Sequence, residues 1–157
     1  MTKKYCHCEQ RYDRKYRVPL KKNILKEFIH KVWNEGDADA ASDFIASAYT
    51  IHHDPGDPWE GLTLDLEGFK DRVQKSRSPV PDQRFDIQEM FENEVSVAIT
   101  WLWQGTHLGD IAGFPATGKQ LRMSGATVYY FDGERISGHW QIADRLGVFQ
   151  QLQRVQI

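Results

Sequence analysis

The chain has 157 residues, 40% hydrophobic and 12% aromatic, with five tryptophans and a formal net charge of −2. That length fits one domain able to bury roughly two thirds of its unfolded surface, and the composition excludes a disordered or collagen-like chain. Residues 1 to 31 carry ten Lys/Arg against three Asp/Glu, so the remainder is acidic and the basic excess is local.

Residues 1–19 (MTKKYCHCEQRYDRKYRVP) read as a basic tail ahead of a single domain, 20–157. The arm has no apolar centre of a secretion signal, and no apolar run approaches the roughly 20 residues of a membrane span, so a cytoplasmic protein with no membrane partner is expected. Without aromatic interleaving or a recognisable motif, the arm reads as a solvated tail and no nucleic-acid partner is expected. Cys6 and Cys8 flank His7, but structural zinc calls for about four ligands and usually CxxC spacing, so no metal site is assigned and the thiols are read as reduced.

From Leu20, the residues Ile24, Leu25, Phe28, Ile29, Val32 and Trp33 recur at three and four positions, which predicts a first helix ending near Asn34-Glu35-Gly36-Asp37. Residues 38 to 48 predict a second, shorter helix. The stretch YTIHHDPGDPWEG (49 to 61) breaks all periodicity and reads as a loop carrying histidines and acids. Helical spacing returns through Leu64, Leu66, Phe69 and Val73 and stops at Ser78-Pro79-Val80-Pro81, because a residue before proline is driven out of helical geometry.

Four stretches of strand length follow, RFDIQEMFEN, EVSVAITWLWQGTH, KQLRMSGATVYYF and ERISGHWQIAD, all rich in β-branched and aromatic residues. Glu92-Asn93 and Asp132-Gly133 are hairpin joints, which predicts an antiparallel sheet. Leu146, Val148, Phe149 and Leu152 form a final short helix. The fold class is therefore α+β, with three N-terminal helices packed on one face of a curved antiparallel sheet and a short C-terminal helix. The loop from Gly109 to Gly118 lacks the GK[ST] ending of a phosphate cradle and reads as a flap over a cavity or as part of a dimer contact.

The motifs WNEGD (33 to 37), HHDP (52 to 55), WQGTH (103 to 107), GFPATGK (113 to 119), FDGERI (131 to 136) and His139-Trp140 with Asp144 and FQQL (149 to 152) fall in one order. As a set they resemble the SnoaL-like polyketide cyclases, over about residues 20 to 152. The resemblance implies a cone-shaped α+β barrel shared with ketosteroid isomerase, scytalone dehydratase and nuclear transport factor 2, with an apolar interior and no metal or organic cofactor. It also implies acid–base chemistry, in which an aspartate late in the chain drives the intramolecular aldol closure of a polyketide ester, and Asp144 holds the matching motif position. Two departures bear on the ligand: Tyr130 and Phe131 precede the DG turn where relatives often carry arginine, and FQQL lacks the usual following glycine.

An aldol closure removes a proton beside a carbonyl and protonates the new alkoxide, so it needs one tuned proton carrier, and an apolar cavity pushes a carboxylic acid toward the neutral form that such a role uses. On a regular strand Trp140, Ile142 and Asp144 share one face, which would put Trp140 over the pocket that holds Asp144. Asp144 can equally cap the last helix. His107 continues the row Val97, Ile99, Trp101, Trp103 and, with His53, is a candidate donor to a substrate carbonyl. Trp140, Trp101, Trp103, Phe114, Tyr129 and Ile142 are the expected substrate-contacting residues. The expected partner is a small hydrophobic substrate, with a second copy of the chain paired through the outer sheet face. Two other functions stay open: a non-catalytic binder of a small apolar ligand, and a dehydratase or epoxide hydrolase, which would need a His–Asp or Arg–Asp pair at the cone floor.

Overall fold

The computed structural model describes residues 20–154, so the basic arm with Cys6, His7 and Cys8 lies outside the described residues. Helix α1 (Lys21–Phe28) runs on into a wider π-helical stretch (Ile29–Asn34), and its buried stripe of Leu25, Phe28, Ile29, Val32 and Trp33 is the one its periodicity predicts. The Arg77 guanidinium donates to the carbonyls of Trp33 and Asn34, which supplies partners for a helix end that has none of its own. Helix α2 (Leu66–Arg77) starts at Asp65, whose carboxylate accepts the Gly68 amide at 2.8 Å, and buries Phe69, Arg72 and Val73.

The expected second helix is corrected by the structure. Only Asp39–Asp43 coils, as a short 3-10 turn, and Ile45–His53 is strand β1, so part of the expected loop is sheet as well. Alanines at 46 and 48 favour helix locally, but Tyr49 and Ile51 bury completely against the core when the segment is extended, and that burial outweighs propensity. A short strand β2 (Thr63–Leu64) pairs with β1.

The four expected strands are present as β3 (Arg84–Glu92), β4 (Ser96–Thr106), β5 (Gln120–Asp132) and β6 (Arg135–Ala143). They form an antiparallel meander. Gly133, at φ 59°, takes the left-handed conformation the Asp-Gly turn demands. The sheet order is β2-β1-β6-β5-β4-β3, and β1 lies parallel to β6, so the sheet is mixed and not wholly antiparallel. This follows from connectivity: β1 and β6 are far apart in sequence and no hairpin fixes their relative direction. Helix α3 (Arg145–Gln153) closes the chain.

The result is an α+β cone in which a curled, unclosed six-stranded sheet wraps the N-terminal helices. Phe28 meets Phe44, Phe69 and Tyr129 at ring-centroid distances of 5.9 to 6.1 Å and so joins helix α1, the 3-10 turn, α2 and β5 in one apolar cluster. Among the described residues no helix is long and apolar enough to cross a membrane.

Candidate active site

A cavity of about 590 Å³ lies between the inner sheet face and the helices. Its apolar half is walled by Phe85, Ile99, Trp101, Trp103 and Met123, one residue in two along neighbouring strands, as the pleat requires. Helix α3 covers it with Leu146, Val148, Phe149 and Leu152, and Ile111 from the long β4–β5 loop adds a further side. Phe114 of that loop meets Phe149 edge-on at 5.4 Å and so clasps the loop to the helix.

The polar half is built around Asp54, which is 0% exposed. A register irregularity between Ile51 and His53 rotates the end of β1, so that His53 turns outward and Asp54 turns in. Its carboxylate accepts from Arg145 Nη2 at 2.6 Å and from Gln141 Nε2 at 3.0 Å, and it lies 3.4 Å from His139 Nε2 and 3.5 Å from Arg72 Nη2. Burial alone would raise its pKa, but the His139 hydrogen bond and the charge of Arg145 prevail and bring it down to about 2. Asp54 is thus a carboxylate at neutral pH and an acceptor only. Arg72 also pairs with Asp57 at 3.0 Å and lies between the rings of Trp33 and Trp59 at 5.3 and 5.9 Å.

His139 stands between this carboxylate and a phenol. Its Nδ1 is 2.7 Å from the Tyr49 hydroxyl and its Nε2 faces Asp54. Because Asp54 can only accept, Nε2 carries the proton and Nδ1 accepts from Tyr49. Burial lowers the His139 pKa below its ordinary value, against the opposing pull of Asp54, and keeps the ring neutral at pH 7. Burial likewise raises the pKa of both Tyr49 and Tyr129, which line the cavity as neutral phenols. The site therefore combines a fixed anion, a neutral imidazole and several hydrogen-bond donors beside an aromatic slot.

The SnoaL-like polyketide cyclase family model matches residues 23–152. The chain belongs to the SnoaL-like polyketide cyclase family. A candidate polyketide cyclase from Acidithiobacillus ferrooxidans is 56% identical over 89% of this chain and 99% of its own, with a TM-score of 0.83. IdmH, a candidate polyketide cyclase from Streptomyces antibioticus, shares the fold at 24% identity, 85% and 98% coverage and a TM-score of 0.71. A SnoaL-like polyketide cyclase from Agrobacterium tumefaciens does so at 19% identity, 86% and 99% coverage and a TM-score of 0.68. No curated protein matches the chain.

Within this SnoaL-like cone, Trp101, Trp103 and Tyr129 line the cavity where the sequence places them. The parity of β6 is opposite to the expected one: His139 and Gln141 face in, while Trp140 and Ile142, at 36% and 54% exposure, face out. Trp140 instead stacks on His53 at 4.8 Å with rings 13° apart, outside the cavity, and His53 lies 3.6 Å from Glu60. Asp144 is exposed and caps α3, its carboxylate accepting the Gly147 amide at 2.9 Å. His107 is fully buried but does not line the cavity; its Nδ1 meets Thr117 Oγ1 at 3.1 Å, and its backbone bonds Gly118 and Lys119 to close the neck of the β4–β5 loop. Phe114 acts through Phe149, as described.

Sequence reasoning passed over Asp54, Arg72, Arg145, Gln141 and Tyr49 as site residues. Asp54 lies 85, 87 and 91 positions from His139, Gln141 and Arg145, so no local spacing reports the cluster. One hint was present: an acid followed directly by proline, three residues beyond the alternating Tyr49 and Ile51.

Proposed function

We propose that this family member carries out acid–base chemistry on a neutral, hydrophobic carbonyl metabolite with its own side chains, of the kind that ends in intramolecular aldol closure or a related isomerisation. The observation that carries the reading is His139, a neutral imidazole at the cavity wall between the Tyr49 hydroxyl and the Asp54 carboxylate. A neutral ring is the form able to take a carbon-bound proton, and an adjacent fixed carboxylate stabilises the imidazolium that results. In this reading the proton enters at Nδ1, displacing the Tyr49 hydroxyl toward the substrate oxygen, and the same ring returns it to the new alkoxide. The Arg145 guanidinium, at the cavity and half-buried, stabilises the charge that forms on oxygen.

The test is deuterium exchange. Protein in D2O should accelerate exchange of the α-protons of 2-tetralone, followed by NMR, and His139→Gln should lower that rate on the order of 100-fold or more. Asp144→Asn should exchange at near the wild-type rate. Exchange no faster than in buffer for hydrophobic ketones that demonstrably bind would overturn the reading in favour of a non-catalytic binder.

A second reading is supported by the Arg145–Asp54 and Arg72–Asp54 pairs at 2.6 and 3.5 Å, the arrangement that dehydration or epoxide opening would use. Diol formation from an aromatic epoxide, abolished in Asp54→Asn, would select it.

The same proposal includes a homodimer through the outer sheet face. Phe91, Ala98, Val128 and Trp140 are successive cross-strand partners there, flanked by exposed Leu102 and Ile142. Sedimentation at twice the monomer mass, reduced to monomer by Ile142→Asp, is the expected result.

A further inference from the structure

The polar half of the cavity rests on a chain of hydrogen bonds whose direction is fixed at both ends. Trp101 Nε1 lies 2.8 Å from Thr127 Oγ1, Thr127 Oγ1 lies 2.6 Å from Gln141 Oε1, and Gln141 Nε2 lies 3.0 Å from Asp54 Oδ2. An indole N–H can only donate and a carboxylate can only accept. Trp101 therefore donates to Thr127, the single Thr127 hydroxyl proton goes to Gln141 Oε1, and the Gln141 amide turns its N–H groups toward Asp54. The opposite orientation of the amide would set its oxygen against the Asp54 carboxylate, two acceptors with no proton between them.

Local structure explains why the chain forms. Trp101 and Gly125 are cross-strand partners, and a Cβ on Gly125 would collide with the Trp101 ring, so the absence of that atom lets the indole lie across β5 and reach Thr127. Thr127 and Gln141 are direct cross-strand partners one strand further on. Trp101 and Thr127 are almost wholly buried, which shields the chain from competing water.

We infer that Trp101 and Thr127 are positioning residues that hold the Gln141 amide as a hydrogen-bond donor for an acceptor atom of the ligand, a ketone or ester carbonyl oxygen. Gln141 lines the cavity, its oxygen is occupied by Thr127, and one of its two amide hydrogens is taken by Asp54. The second hydrogen is what it offers a ligand. Arg72 and Arg145, whose charges are balanced by Asp54 and Asp57, add further donors without a surplus of charge, so the polar half selects a neutral acceptor over an anion. This deepens the carbonyl reading above by assigning the group that recognises the carbonyl before any proton moves.

The test compares 2-acetylnaphthalene with 2-isopropenylnaphthalene, a near-isostere in which a methylene replaces the carbonyl oxygen. Occupancy is read by quenching of Trp101 and Trp103, which line the cavity. The wild type should prefer the ketone by about 5- to 10-fold, the effect of one net hydrogen bond. Thr127→Val, equal in shape but without the hydroxyl, should bind the two compounds equally with its affinity for the hydrocarbon unchanged, and Thr127→Ser should restore the preference. Gln141→Met, which leaves β5 intact, should reproduce the loss if Thr127→Val does not fold.

The inference is overturned by an unaltered preference in Thr127→Val and Gln141→Met, by parallel loss of hydrocarbon binding, or by a wild type that does not favour the ketone. Failure of deuterium exchange with the ketone preference intact would remove the acid–base reading alone. Normal exchange without the preference would remove this inference alone.

Discussion

Asp54 and Asp144 sit at the two ends of the same short path, joined by Arg145, and they do opposite things. Asp54 is shut from solvent, with Arg72, His139, Gln141 and Arg145 directed at one carboxylate. Asp144 is exposed and holds one amide at the start of α3. The next residue, Arg145, swings back from the helix that Asp144 caps and donates to both Asp54 and the Pro55 carbonyl. Identical side chains thus separate into a site anion and a structural cap because one is buried and surrounded by donors and the other is exposed. The cap still matters to the site, since it sets the helix start from which Arg145 reaches inward.

The largest break in this contrast should come from Asp54→Asn. It leaves Arg72 and Arg145 facing a neutral amide in a buried site, and loss of one partner from such a network costs roughly 3–5 kcal/mol. Urea unfolding would measure it, and a loss below about 1 kcal/mol would mean that the cluster is far wetter than its burial implies.

Acid titration should sharpen the comparison. A carboxylate held below its ordinary pKa stabilises the fold above that ordinary value, so the Asp54 contribution is complete above pH 3.8 and is lost as pH falls toward about 2. The His139 pKa is also lowered, so the unfolded chain takes up that proton first and stability begins to decline as pH falls below 6.5. Wild-type stability should therefore fall in two steps, and Asp54→Asn should shrink the lower one, to which Asp82, held low by hydrogen bonds from Thr106, also contributes. Asp144→Ala should cost about 1 kcal/mol, the usual worth of an N-cap, as a shift in thermal midpoint. Smallest of all, Asp144→Asn should change stability by only a few tenths of a kcal/mol, because asparagine caps as well as aspartate.

Much of the fold was legible because it is encoded locally. The three-and-four spacing from Ile24 to Trp33 marks a helix face wherever that helix packs, and the Asp132-Gly133 turn fixes a hairpin by backbone sterics alone. The site was less legible. Trp101, Trp103 and Tyr129 were found because uninterrupted alternation carries them to the inner face, whereas the β6 pair Trp140 and Ile142 was assigned inward and lies outward.

Alternation gives two faces but does not say which is inside, and that choice belongs to the partners. The strand pairings of β6 place Trp140 beside Val128 and His53 on the outside and turn His139 and Gln141 toward Asp54. By itself, then, the sequence determined the helices at 21–34, 66–77 and 145–153, the meander, the aromatic wall and the family. The tertiary structure alone decided that Ile45–His53 is a strand parallel to β6, that its irregular end turns Asp54 inward, and that residues 85 to 91 positions away converge on it. The physical reason is that propensity and periodicity act over a few residues, while the direction of an unhairpinned strand and the pairing of a buried charge are settled only when distant segments compete for the same core.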